Sequence, residues 1–202
     1  MTCYRLSYIV AALLCAAVAA AHAQDLPTSF KNFSIPSSAM APTLVPGDVI
    51  ITDPSAYDGD AEPQRGDVVI FLAPDGNFFV KRIMAIGGEE IFLRDGTVFI
   101  EGEPLQRTPS TDTTWDDTGT VYDETMPDGR VIQTLDLIEG SRADSTAVFK
   151  VPDGHFFVMG DNRDNSNDSR FTVGTVARDK IFAKARRVIF SSTLSRIGLA
   201  VE

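Results

Sequence analysis

Glycine-containing turn dipeptides cut this chain into pieces of strand length, and that spacing restricts its fold more than any other feature. Pro46-Gly47, Asp75-Gly76, Asp95-Gly96, Asp128-Gly129 and Asp153-Gly154 punctuate β-branched and aromatic runs. Those runs are Asp48 to Thr52 (DVIIT), Asp67 to Leu72 (DVVIFL), Phe78 to Ile86 (FFVKRIMAI), Ile91 to Leu93, Val98 to Ile100, Val131 to Leu135, Val148 to Val151 and His155 to Met159. Such short runs suit a pleated, half-buried surface and are too brief for packed helices. Asp95-Gly96 and Asp128-Gly129 predict hairpins, because tight turns between strands need backbone with φ > 0. No repeat, heptad run or long amphipathic helical pattern competes, so the expected fold is mainly β, with antiparallel sheets. Residues from Pro104 to Asp144 are more polar and irregular, and predict an insertion decorating the β core. Thr193 to Val201 reads either as a short helical turn or as a last strand.

The N-terminus is a separate element. Arg5 precedes the apolar run LSYIVAALLCAAVAAA, and Ala21-His22-Ala23 puts small residues at the −3 and −1 positions of a cleavage site before Gln24. The run falls short of the ~20 apolar residues that cross a bilayer. Residues 1–23 therefore read as a secretory signal peptide, with a weak membrane anchor as the alternative, and 24–202 as the mature domain. Both cysteines, Cys3 and Cys15, lie in the leader, so the exported chain has neither a disulfide nor a thiol nucleophile. The net charge is −10, and loss of Arg5 with the leader makes it more negative. That balance excludes nucleic acid as an expected partner and disfavours a polybasic grip on anionic lipid.

Elimination narrows the chemistry. His155 is the one histidine beyond the leader, and it sits in the strand-like run HFFVM, so a Ser-His-Asp triad would rest on it alone. No His or Cys pair has zinc-ligand spacing. The Asp-rich run GDNRDNSNDSRF, Gly160 to Phe171, lacks the Gly at loop position six and the Glu at position twelve of an EF-hand, and it places Arg163 among the ligand positions. No metal or cofactor is expected. Lys81 is different: alternation in FFVKRIMAI puts Phe79, Lys81 and Ile83 on one face and Val80, Arg82 and Met84 on the other. An amine flanked by large apolar side chains loses hydration, its pKa falls, and it becomes available as a general base.

Four segments in order, IPSSAMAPTLVPGD (Ile35 to Asp48), RGDVVIF (Arg65 to Phe71), VKRIMAIGGE (Val80 to Glu89) and VMGDNRDNSNDSRF (Val158 to Phe171), resemble the bacterial signal peptidase I family. These are membrane-associated Ser/Lys endopeptidases that remove signal peptides from exported proteins. The resemblance implies coiled antiparallel sheets with an inserted lobe, and a site at the outer face of the bacterial cytoplasmic membrane or in the periplasm. Its expected ligands are signal peptides or preproteins with small-x-small sites. Residue by residue, it implies Lys81 as general base, Ser37 as oxyanion-hole hydroxyl and Ser166 as the serine orienting the amine. Asp161, Asp168 and Arg170, with Arg82, would form supporting ion pairs; Met40 and Pro42 would shape the turn, and Gly160 would allow close backbone approach.

The family nucleophile falls on Ala39, which has no hydroxyl. Read as an extended strand, the segment would project Ser37 to the same side as Ala39 and Ser38 to the opposite side, so Ser38 could substitute only through a bulge or a slip. Two functions follow from the sequence: a signal peptidase I-like endopeptidase using a displaced serine, or a binding module that captures extended peptides without cutting them.

Overall fold

The computed structural model describes residues 31–201 apart from 112, 114, 116 and 117; the leader reading of residues 1–23 lies outside the described residues. In chain order the strands are β1 (Lys31–Ser34), β2 (Val49–Asp53), β3 (Val68–Leu72), β4 (Phe78–Ile86), β5 (Glu90–Arg94), β6 (Thr97–Ile100) and β7 (Glu103–Pro104). They continue with β8 (Gln106–Pro109), β9 (Thr120–Thr125), β10 (Val131–Asp136), β11 (Phe149–Lys150), β12 (His155–Met159), β13 (Val176–Ala177) and β14 (Ile181–Phe190). Helical structure among the described residues is limited to short 3-10 turns, and no described helix is long and apolar enough to cross a membrane. The fold is mainly β, as expected.

The strands form a seven-stranded sheet in the order β1-β2-β14-β3-β4-β12-β13, a four-stranded sheet β11-β5-β6-β7 and a three-stranded sheet β10-β9-β8. Every pairing between these strands is antiparallel. Both expected hairpins form. Asp95 (φ 49°) and Gly96 (φ 76°) make a two-residue turn that sets Arg94 opposite Thr97. Gly129 (φ 87°) closes β9 on β10 within a loop held by Met126 N–H to Arg130 O at 2.7 Å and Gly129 N–H to Met126 O at 2.9 Å.

One long strand escaped the sequence reading. IFAKARRVIF carries Lys184, Arg186 and Arg187, which break the apolar alternation, yet β14 lies inside the large sheet between β2 and β3. Two of its cations are met by acids on the neighbouring elements: Lys184 Nζ lies 2.5 Å from Asp67 Oδ1 and an Arg186 guanidinium nitrogen 2.7 Å from Asp53 Oδ2. Register shifts between Ala185 and Arg187 and between Val188 and Phe190 accommodate the strand's irregular pattern. The C-terminal segment is partly both readings, a single 3-10 turn at Leu194–Arg196 followed by a bridge from Ala200 to Arg187.

The polar stretch from 104 to 144 is more regular than its composition suggests, since it contains β8, β9 and β10. Val121, Ile132, Thr134 and Leu135 are buried while Thr120, Val131, Gln106, Thr108 and Pro109 face solvent, the half-solvated arrangement that antiparallel sheets permit. This sheet also delivers a charge inward. Glu124 is fully buried and grips both terminal nitrogens of Arg163 at 2.6 and 2.9 Å. Bidentate pairing matters here because a buried guanidinium left alone is strongly unfavourable. Glu124→Ala is expected to destabilise the domain by about 3–5 kcal/mol in denaturant unfolding; a loss below about 1 kcal/mol would show that Arg163 finds other partners or water.

Candidate active site

Four chain segments meet at one buried ion pair. Arg82, on β4, is fully buried and sends Nε and a terminal nitrogen to the two Asp161 oxygens at 2.9 and 2.8 Å, with its other terminal nitrogen on Gly66 O at 2.8 Å. Thr43 Oγ1 donates to Asp161 Oδ2 at 2.6 Å, which ties the 37–44 turn to the same carboxylate. A second pair lies beside it: Arg170 contacts Asp168 at 3.0 and 2.8 Å and donates to Arg163 O at 2.7 Å. Burial pushes the Asp168 carboxyl up, but the Arg170 guanidinium and the Gly160 N–H at 2.9 Å hold it below the usual carboxylate range. The Asp-rich run thus has its carboxylates committed: Asp161 to Arg82, Asp164 to the backbone N–H groups of Leu137 and Ile138, and Asp168 to Arg170.

The segment from Ser37 to Leu44 is not an extended strand. β1 ends at Ser34, and the chain then turns, with Ala41 N–H to Ser38 O at 3.0 Å and Leu44 N–H to Met40 O at 2.9 Å. Packing drives this, because Ile35, Met40 and Leu44 are buried together with Ile50, Ile70 and Val188, and an extended chain would aim them to different sides. Facing by strand alternation therefore does not apply to the two serines. Ser37 lies on the wall of a groove of about 620 Å3, with Ala39, Met40, Phe79, Val80 and Lys81. Ser38 is outside that wall; its Oγ accepts from Asn165 Nδ2 at 2.9 Å and its carbonyl from Asn162 Nδ2 at 3.2 Å.

Position 39 is held by backbone contact. Asn162 N–H reaches Ala39 O at 3.2 Å, and Gly160 packs so closely that a Cβ there would lie 2.4 Å from Ala39 O and 2.3 Å from Ser166 Oγ. Only glycine fits between these groups. Ser166 is buried and its Oγ has no hydrogen-bond partner of good geometry among the described residues, although it lies near enough to Asp168 to help keep that carboxylate ionised. Pro42 O and Thr43 O accept from Arg196 at 3.3 and 2.8 Å, and Arg196 is itself paired with buried Asp48. Arg196, Glu124 and Arg163 were not singled out as site residues from sequence, and no local pattern marks the first two. Asn162 and Asn165 lay within the quoted Asp-rich run.

Lys81 sits 4% exposed on the groove wall, its Nζ 5.5 Å from the centroid of the Phe79 ring, and makes no hydrogen bond or ion pair among the described residues. Burial lowers its pKa to about 8; Asp168 and Asp161 pull it upward and Arg170 pushes it down. Roughly a tenth of the amine is then neutral at pH 7, against about one part in a few thousand for an ordinary lysine. His155, by contrast, begins β12 with Nδ1 3.1 Å from Asp153 O and does not line this groove.

The antiparallel β scaffold thus opens a groove beside a buried lysine that has no ion-pair partner among the described residues. The chain belongs to the signal peptidase, peptidase S26, family, which it matches over residues 5–190. It is 32% identical over 195 residues to signal peptidase I of Rickettsia akari (strain Hartford), an alignment covering 82% of this chain and 73% of that protein. With signal peptidase I of Rickettsia prowazekii (strain Madrid E) the identity is 31%, over 82% of this chain and 74% of the relative. The crystal structure of a signal peptidase I from Enterococcus faecalis V583 superposes with a TM-score of 0.37 at 25% identity, covering 61% of this chain and 96% of that one.

The unpaired amine has a stability signature. The folded pKa of Lys81 is depressed, so between about 8 and 10.5 the unfolded chain binds the extra proton and stability rises with pH through that window. Below it, the buried ammonium costs about 3 kcal/mol. Lys81→Met is therefore expected to stabilise the protein by up to about 3 kcal/mol at pH 7, with the gain vanishing above pH 10.5. Chemical denaturation at pH 7 and above pH 10 checks this, and a pH-independent difference would place the amine in water.

Proposed function

We propose that this protein receives signal-peptide-bearing chains in the Ser37–Lys81 groove, and that Ala39 leaves it a peptide-binding module lacking the efficient hydrolysis of its family. The observation that carries this reading is the methyl group of Ala39 on the same groove wall as the unpartnered Lys81 amine. Lys81 is the residual general base, Ser37 the oxyanion donor, and Ser166 the neighbour that positions the amine. Arg82, Asp161, Asp168, Arg170, Gly160, Met40 and Pro42 hold the frame. A serine protease without its nucleophile loses roughly 10⁶ in kcat. Export by a leader at 1–23, with residues 24–202 as the working domain, would put the groove in the periplasm or at the outer face of the cytoplasmic membrane.

A second reading is cleavage through Ser37, favoured by its exposure on the same wall as Lys81. Ser38 is the weaker substitute, because its hydroxyl is engaged by Asn165 and Ser38 is not among the residues that line the groove.

Peptide cleavage separates these readings. With an Ala-x-Ala substrate, the unaltered chain is expected to bind without appreciable turnover. Ala39→Ser is expected to raise cleavage by at least roughly 10³-fold, with a rate that climbs as pH rises through about 8. Adding Lys81→Ala should abolish the gain. Turnover by the unaltered chain together with acylation of Ser37 by a serine-directed inhibitor, mapped by mass spectrometry, would establish the second reading, and absence of any gain in Ala39→Ser would mean that the frame no longer aligns a nucleophile.

A further inference from the structure

A second cavity, of about 800 Å3, adjoins the groove: Asn165 and Asn167 line both. Its far wall comes from Ile138, Arg142, Phe171 and Thr172, residues outside the site described above. The two ends of this joined channel differ in chemistry. At the groove end Phe33 and Phe78 line the wall, and Phe78, 47% exposed, packs on Phe182 with ring centroids 5.4 Å apart. At the other end hydroxyls, amides and two charges, Arg142 and Asp164, stand among Ile138 and Phe171, so that end is mixed where the groove end is mainly apolar. Asp164 is turned into the wall, its oxygens taken by Leu137 N–H at 2.7 Å, Ile138 N–H at 2.9 Å and the Ser141 hydroxyl. Arg142 is exposed, stacks over Phe171 at 5.6 Å and has no ion pair among the described residues.

A preprotein has the matching asymmetry, since its apolar run precedes the small-x-small site and polar mature sequence follows it. That match would orient a bound chain with the aromatic end toward the apolar run and the Arg142 end toward the mature part. We infer that the second cavity holds the residues immediately after the small-x-small site and that Arg142 selects an acidic side chain there. The inference rests on the peptide-binding reading of the groove. This chain's own junction has the required form, with Asp25 two residues beyond Ala21-His22-Ala23.

The test is a charge swap across the contact. A labelled peptide with the sequence from Val18 to Phe30 is titrated against the purified protein, alongside the same peptide carrying Asp25→Lys; kcat/KM replaces affinity if the peptide is cut. The lysine peptide is expected to bind roughly fivefold more weakly to the unaltered protein, with the difference falling below about twofold in Arg142→Ala and reversing in Arg142→Glu. Raised salt should shrink the difference, as for any exposed charge pair. Identical discrimination in all three proteins overturns the assignment of Arg142 while leaving the groove reading intact. Failure of either peptide to bind any of the proteins overturns both.

Discussion

The Arg82–Asp161 pair is the joint on which this site hangs. A guanidinium with no solvent exposure must have its donors satisfied inside the protein, because an unpaired buried charge is worth several kcal/mol of destabilisation. Arg82 satisfies that demand only when β4, the Gly66 carbonyl and the loop after β12 come together, and Thr43 then adds the turn that carries Ala39. Lys81 is the adjacent residue on a pleated strand, so pinning Arg82 on one face fixes the direction of the amine on the other. The ion pair does not contact Lys81 Nζ, yet it sets where that amine stands relative to position 39.

Against that background Lys81 is conspicuous by contrast. Arg82, Arg163, Arg170 and Arg196 are as deeply buried, and each holds a carboxylate. Lys81 has only the field of Asp161 and Asp168, both already engaged by arginines. Burial is the first cause of the depressed Lys81 pKa, and the two carboxylates, each engaged by an arginine, offset it only in part. A guanidinium cannot take the same role, because it does not deprotonate in this range.

Much of this was legible in the sequence. Turn dipeptides and short β-branched runs located eight of the strands closely, and the alternation of FFVKRIMAI anticipated the split of Lys81 and Arg82 between faces. What was not legible has physical causes. β14 breaks the two-residue period because its cations find acids on other elements, a compensation invisible within the strand itself. Glu124 looks like one more acid in a polar stretch until the fold places Arg163 beside it. The turn at 37–44 misled for a related reason: three apolar side chains converge on one core there, and their convergence is a tertiary fact that outweighs local strand propensity.

The missing hydroxyl changes what Lys81 can do as well as how fast. As a base it acts neutral, so its usefulness grows above its pKa of about 8. As a binding group it acts charged, donating hydrogen bonds to a peptide carbonyl laid along the groove, so its usefulness grows below the same value. A buried ammonium without an ion-pair partner is driven to find such an acceptor, because an unpaired buried charge is costly. Under the proposed function, capture and cleavage in this groove would have opposite pH dependence through a single amine. On that reading Ala39 would favour the first by leaving the amine no hydroxyl proton to take, and the shape of the pH profile, more than the size of any rate, would distinguish a site that holds peptides from one that cuts them.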